Sequence, residues 1–143
     1  MKRHRPIAAF VLAATLLAAC GSSGSGSSSS STTSKASSRP TTTAKLEIVR
    51  PTANEETGPD VTVELKVTGG EVVSQTTGKL VPDKGHVHVS IDGKLVSMAY
   101  GTTQDLHDLT PGPHTLQAEF VAIDHAPFRN RAVASVLFTV KQP

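Results

Sequence analysis

The sequence predicts an all-β domain built as an antiparallel sandwich of about seven short strands. Apolar and polar residues alternate along several short segments, and Gly, Pro or Asp-Gly turns separate these segments. No helical period follows the first 20 residues. Seven strands with regular turns in about 100 residues are typical of an immunoglobulin-like sandwich.

Each predicted strand rests on its own alternation. Residues 45–50 alternate up to Pro51, and residues 61–67 place four apolar side chains on one face. Asp92-Gly93 predicts a tight hairpin, because glycine accepts positive φ without steric conflict. The full set of predicted strands is 45–50, 61–67, 71–76, 86–91, 94–100, 114–123 and 132–140.

The N-terminus has the pattern of a secretory signal. Three basic residues (Lys2, Arg3 and Arg5) precede a 13-residue apolar run, 7–19, which is too short to span a bilayer comfortably as a helix. Residues 1–19 are therefore predicted to form a helical signal peptide. The following residues 20–44 are rich in Ser, Thr and Gly and contain no apolar side chain larger than Ala after Cys20, which predicts a disordered tether.

The end of the signal resembles the bacterial lipobox in Leu17-Ala18-Ala19-Cys20. This resemblance implies that the protein is cut before Cys20, and that Cys20 carries a diacylglycerol and usually a further acyl chain such as palmitate. Two or more chains anchor a protein stably in a bilayer. The chain is thus expected to be lipid-anchored to the bacterial cell membrane or outer membrane, facing away from the cytoplasm.

Charge and motifs exclude several function classes. Lys2, Arg3 and Arg5 leave with the signal, so 11 basic residues face 12 acidic ones from Cys20 onward. No basic face for nucleic acid is expected. The sequence contains no nucleophile elbow, Walker loop or His-Glu-x-x-His motif, and Cys20 is the only cysteine. The chain is predicted not to be an enzyme.

Histidine is the one enrichment in the predicted domain that suggests chemistry. His86 and His88 are two residues apart on a strand and share its outer face, while the alternate residues face the core. Antiparallel pairing of 86–91 with 114–123 brings His125, with Asp124, to the same end. Imidazoles with a carboxylate are ligands for Zn²⁺ or Cu²⁺. The alternative is a set of polar residues on a half-exposed sheet.

Two further residues are given structural roles. His114 shares the parity of the core residues in its strand, so it is expected to pack at the end of the sandwich near Asp92 and to hydrogen-bond a loop backbone. Met98 lies on the strand after the hairpin; it suits copper, but core packing is the simpler interpretation.

The domain also resembles two groups of bacterial proteins. Its hairpin and late strand are similar to those of Ig-like domains of envelope proteins, in the segments Val87-x-Val89-x-Ile91-Asp92-Gly93-Lys94 and Leu109-x-Pro111-Gly112-x-His114-Thr115-Leu116. It further resembles a poorly characterised group of small secreted domains that combine Gly-His-x-His, here Gly85-His86-Val87-His88, with the same Pro-Gly-x-His-Thr-Leu motif and a following Asp124-His125. Both resemblances imply the fold and little chemistry.

These observations favour a membrane-anchored lipoprotein that presents a non-catalytic Ig-like module, residues 45–143, to an unidentified protein or envelope partner. The alternative is a metal-binding protein that holds Zn²⁺ or Cu²⁺ through His86, His88 and His125.

Overall fold

A computed structural model describes residues 39–141, and in this range all regular structure is β-strand. The strands are β1 (Lys45–Arg50), β2 (Glu56–Thr57), β3 (Val61–Thr68), β4 (Glu71–Val72), β5 (Lys84–Ile91), β6 (Lys94–Ala99), β7 (Thr103–Leu106), β8 (Gly112–Ala122) and β9 (Pro127–Val140).

The strands form two sheets that enclose one core. One sheet has the order β1-β3-β7, and the other runs β9-β8-β5-β6, with β2 added beside β9 and β4 beside β5. All pairings except those of β2 and β4 are antiparallel. The predicted all-β class is confirmed, and the architecture is an immunoglobulin-like β-sandwich.

The core is aliphatic with a small aromatic centre. Val63 from one sheet meets Val87, Val89 and Leu116 from the other, and all four are fully buried. Only four aromatic residues follow the signal, and two of them, Phe120 and Phe128, stack with ring centroids 5.5 Å apart. Complete burial of a Val, Leu, Ile or Phe side chain contributes about 1.5–3 kcal/mol. Because buried aliphatic residues outnumber the buried phenylalanines, they provide most of this stabilisation.

Strand β7 was missed by the sequence prediction. Its sequence, Thr-Gln-Asp-Leu, contains one apolar residue, and alternation is not readable over four positions. The strand forms because its backbone pairs with β3, and Gln104 and Leu106 turn inward. The predicted strand 71–76 shortens to β4.

The start of the domain differs from the prediction. Residues 39–44 were assigned to the disordered tether, yet the structure packs them on the sandwich. The backbone N–H of Thr42 donates to Asn130 Oδ1 at 2.8 Å, and Asn130 Nδ2 donates back to the Thr42 carbonyl at 2.6 Å. Ala44 and Thr42 are both buried. Composition did not reveal this docking because hydrogen bonds, rather than apolar burial, provide most of it.

The predictions for the N-terminus fall outside the described residues. These are the signal peptide 1–19, the lipid at Cys20 and the tether as far as residue 38. In the described range 39–141, no helix has the length and apolarity to cross a bilayer.

Candidate metal centre

The sandwich brings two histidines of one strand to the turn that follows its neighbour. In β5, Val87 and Val89 face the core, so His86 and His88 share the opposite face. Strand β8 runs antiparallel to β5, with Val121 opposite His86. The turn after β8 therefore passes beside His86, and His125 lies in that turn. The predicted pairing of these strands is confirmed.

Three imidazole nitrogens converge at this point. His86 Nε2 lies 3.1 Å from His88 Nε2 and 3.0 Å from His125 Nδ1, and the last two nitrogens are 3.3 Å apart. An ion bound tetrahedrally at 2.0–2.1 Å would hold its nitrogen ligands about 3.3–3.4 Å apart. The three nitrogens are thus within a few tenths of an ångström of a ligand set for one ion.

Hydrogen bonds alone do not account for this triangle. A neutral imidazole carries one N–H, and its other nitrogen has a lone pair that points outward. One proton between His86 and its two neighbours leaves the lone pairs of His88 Nε2 and His125 Nδ1 facing each other at 3.3 Å. A shared cation satisfies all three lone pairs at once.

The surroundings keep two of these imidazoles neutral. Burial, and to a smaller extent the neighbouring His125 and His88, together lower the pKa of His86 to about 4. Burial also lowers the pKa of His88, against a smaller opposing effect of the Glu119 carboxylate. Because a metal binds the unprotonated nitrogen, a depressed pKa leaves these imidazoles competent as ligands at neutral pH.

His86 is more buried than its outer-face position predicted. Its side chain has 0% exposure, although the expectation was a half-exposed surface. The rings of Tyr100 and His125 both pack edge-on against the His86 ring, with ring centroids 5.3 Å and 4.4 Å from its centroid. The neighbouring Val121 is also buried on this face. His86 Nδ1 is buried and lacks a hydrogen-bond partner among the described residues.

His125 adopts a backbone conformation that is uncommon for its residue type. Its φ is 62°, in the left-handed region that glycine and asparagine occupy most easily. A non-glycine residue there costs on the order of 1 kcal/mol or more. Asn54 and three aspartates of the domain adopt the same conformation, so φ alone does not mark His125; what distinguishes it is that its ring lies against His86 and His88.

Asp124 lies beside the cluster but does not belong to it. Its carboxylate accepts two hydrogen bonds from Arg39, at 2.8 and 2.9 Å. The Arg39 guanidinium is also the main reason that the pKa of Asp124 is lowered. The side chains whose nitrogens lie close enough together to hold one metal ion are those of His86, His88 and His125, and Asp124 is not among them. The other nearby carboxylate, that of Glu119, is engaged by Arg131.

Met98 is placed differently from the core position expected for it. It lies directly opposite His88 across the β5–β6 pairing and is 48% exposed. Leu95 and Tyr100 are exposed nearby on the same edge of the sheet. His88 also borders a groove of about 290 Å³ whose other lining residues are Ser90, Gly93, Leu95, Gln117, Glu119 and Arg131. Alternation in the sequence could not predict that Met98 lies opposite His88, because the register between β5 and β6 shifts between Val89 and Ser90.

The remaining histidines of the described range lie elsewhere. His114 donates from Nδ1 to Asp92 Oδ2 at 2.7 Å and from Nε2 to the Thr110 carbonyl at 2.6 Å, which confirms its predicted structural position. Both partners raise its pKa, the Thr110 carbonyl more strongly. His107 is exposed and contacts Asp60 at 3.1 Å.

Comparisons with known proteins bear on the fold alone. No protein-family model and no curated protein sequence matches this chain. Fibronectin(III)-like modules of Clostridium thermocellum CbhA are 22% identical, with a TM-score of 0.49, over 67% of this chain and 94% of theirs. The endo-β-1,4-mannanase of Thermotoga petrophila is 15% identical, with a TM-score of 0.47, over 70% of this chain and 20% of its own. An engineered protein is similar to the same degree, at 15% identity and a TM-score of 0.47, over 69% of this chain and 20% of its own.

Proposed function

We propose that this protein is a non-catalytic binding module whose ligand is a single transition-metal ion, Zn²⁺ or Cu²⁺. The observation that carries the proposal is the convergence of His86, His88 and His125, whose nitrogens lie 3.0–3.3 Å apart. Imidazole is a ligand that both ions accept, and three such groups leave one coordination position open.

The ligand set is supported by the roles of the neighbouring acids. Both carboxylates beside the cluster are paired with arginines, so the three imidazoles carry no compensating negative charge of their own. A divalent ion bound here is therefore held by neutral donors. Neutral nitrogen donors suit Zn²⁺ and Cu²⁺, whereas Mg²⁺ and Ca²⁺ require oxygen ligands.

Calorimetric titration of the purified protein with Zn²⁺ and with Cu²⁺ tests the proposal. The wild type is expected to bind one ion per chain, and His88→Ala and His125→Ala are each expected to weaken binding at least tenfold. These two residues are preferred to the fully buried His86 because their replacement disturbs packing less. His107→Ala is the matched control, since this exposed histidine pairs with Asp60 away from the cluster.

Two results would contradict metal binding. One is a wild type that binds neither ion more tightly than its His88→Ala variant. The other is loss of binding in the His107→Ala control, which would assign the heat signal to scattered surface histidines. Circular dichroism of each variant establishes that the sandwich is retained.

We further propose that the module is held on a membrane through lipid at Cys20, outside the cytoplasm. The support is the sequence Leu17-Ala18-Ala19-Cys20-Gly21 after a basic and apolar start. Fractionation of bacterial cells tests it: the wild type is expected in the membrane fraction and Cys20→Ser in the soluble fraction. Unchanged membrane partition of the variant would refute the anchor.

A second candidate function is the docking of a protein or envelope polymer on the edge of the larger sheet. Within residues 39–141, strand β6 pairs only with β5, and each of four apolar side chains at this edge is more than 40% exposed: Leu95, Val96, Met98 and Tyr100. Exposed apolar side chains on an edge strand are typical of interaction surfaces. Retention of an envelope component by the wild type, and its loss in Leu95→Glu, would favour this function.

A further inference from the structure

One arginine at the start of the domain makes four hydrogen bonds to the turn that carries His125. Arg39 donates to both carboxylate oxygens of Asp124, at 2.8 and 2.9 Å. It also donates to the carbonyl of Ala126 at 2.8 Å and to that of Pro127 at 2.6 Å. The acceptors lie on both sides of His125 in sequence, so the guanidinium spans the backbone of that residue.

The turn has three hydrogen bonds of its own, fewer than Arg39 gives it. The His125 N–H donates to the Ala122 carbonyl at 2.9 Å, the Ala122 N–H donates to the Ala126 carbonyl at 3.1 Å, and the Ala126 N–H donates to Asp124 Oδ1 at 3.2 Å. His125 is also held at a φ of 62°. A residue in this uncommon conformation persists only when its surroundings over-determine it, and Arg39 provides most of the surrounding hydrogen bonds.

Arginine suits this role because of its shape. Its planar guanidinium offers five N–H donors in a fixed fork, which matches a carboxylate on one side and two carbonyls on the other. The Asp124 carboxylate raises the pKa of Arg39, and Arg39 lowers the pKa of Asp124, so each group favours the charged form of the other. The Arg39 side chain is 22% exposed.

We infer that Arg39 is a positioning residue for the metal ligand His125, and that docking of the Arg39 side chain on the turn is coupled to occupation of the metal site. The inference rests on the proposed function. It follows from the contacts: a bound ion holds His125, His125 orders the turn, and the ordered turn presents Asp124, Ala126 and Pro127 to Arg39. Coupling of this kind is reciprocal: the factor by which docked Arg39 raises the affinity for the ion equals the factor by which the bound ion favours docking of Arg39 on the turn.

Residues 40–44 are attached to the sandwich by contacts that do not involve the Arg39 side chain, so the role of that side chain can be tested separately. Pro40 accepts from the Arg129 N–H at 3.0 Å, and Thr42 exchanges two hydrogen bonds with Asn130. Removal of the Arg39 side chain thus breaks the contacts to the turn and leaves residues 40–44 docked. A loss of metal affinity in such a variant does not reflect general unfolding of the segment.

The experiment compares Arg39→Ala, Arg39→Lys and Asp124→Asn with the wild type, using the full chain. The Zn²⁺ affinity is measured by competition with a chromophoric chelator. Partners that orient a metal ligand typically change affinity 10–100-fold, so we expect Arg39→Ala and Asp124→Asn to bind about tenfold more weakly. Lysine lacks the fork, so Arg39→Lys is expected to recover only part of the affinity. The control is Arg50→Ala, which removes an exposed arginine paired with Glu55.

A second readout uses no metal. Amide hydrogen exchange of His125 is measured in the metal-free wild type and in Arg39→Ala, where faster exchange is expected because the turn loses its restraint. Equal exchange rates together with equal Zn²⁺ affinity would overturn the inference. Faster exchange in a protein whose wild type binds no Zn²⁺ would refute the proposed function and the coupling, while the positioning of the His125 turn by Arg39 would stand.

Discussion

Among the glycines of the described range, Gly85 is the one where an added methyl group should destabilise the fold most. A Cβ there would lie 1.8 Å from the Val121 carbonyl oxygen, 2.8 Å from the Val121 carbonyl carbon and 3.3 Å from Ala122 Cα. All three atoms are backbone, so no side chain can rotate away. Restoring an ordinary contact requires β5 and β8 to separate locally by about 1.7 Å, since non-bonded heavy atoms pack at about 3.5 Å and the Cβ would lie 1.8 Å from the oxygen.

The loss of folding free energy in Gly85→Ala has two contributions. Overpacking in a well-packed region typically costs about 1–3 kcal/mol. Separation of the strands also weakens the backbone hydrogen bonds beside the Gly85–Ala122 pair, each worth about 1 kcal/mol. We expect the free energy of unfolding to fall by about 3 kcal/mol. Because His86 is the next residue, a shift of β5 at Gly85 also moves a proposed ligand. The folded variant should therefore bind Zn²⁺ more weakly than the folded wild type.

Urea denaturation measures this free energy, and Gly58→Ala is the matched control. No atom lies within 4 Å of a Cβ at Gly58. Alanine there should change stability by less than about 1 kcal/mol, and in the stabilising direction, because it restricts the unfolded chain. A Gly85→Ala variant as stable as the wild type to within 0.5 kcal/mol, roughly the scatter of surface substitutions, would refute the packing of β5 against β8 described above.

Two other predictions concern histidine and methionine. His114 donates from both ring nitrogens, which requires the protonated ring, and the Thr110 carbonyl and then the Asp92 carboxylate raise its pKa above 6.5. Its contribution to stability is therefore complete below about pH 6.5 and is lost as the pH rises through the raised pKa. Urea denaturation at pH 6 and pH 9 should give a larger loss of stability in the wild type than in His114→Gln, and equal losses would contradict the assignment. Met98 lies opposite His88, and its thioether is a soft donor that prefers Cu⁺, the reduced form of the proposed copper ligand. Met98→Leu should therefore weaken binding of Cu⁺ and leave Zn²⁺ binding unchanged. Competition with bicinchoninate measures the former, and equal Cu⁺ affinities would exclude Met98 as a ligand.

Much of the fold and the centre of the site follow from local pattern. Alternation in residues 61–67 and 86–91 predicts the strands, and the parity of His86 and His88 predicts that they share a face. Antiparallel pairing with the strand that starts at His114 then predicts that His125 comes near. These predictions need only the two-residue alternation of side chains along a strand and the antiparallel pairing of two strands.

The rest depends on contacts between distant parts of the chain. Arg39 stands in a stretch rich in Ser and Thr, and nothing local indicates that it reaches Asp124, 85 residues away. The complete burial of His86 depends on Tyr100 and His125, which come from two other segments. The exposure of Met98 depends on the pairing of β6 at the edge of its sheet. Periodicity carries no information on any of these.

The most direct test of the central claim is the coordination shell of the bound ion. X-ray absorption at the zinc edge, on protein loaded with one equivalent of Zn²⁺, distinguishes imidazole from oxygen ligands. Coordination by His86, His88 and His125 predicts three imidazole nitrogens at about 2.0–2.1 Å, falling to two in His125→Ala. A shell dominated by oxygen ligands, or one that does not change in His125→Ala, would contradict a metal centre at this cluster.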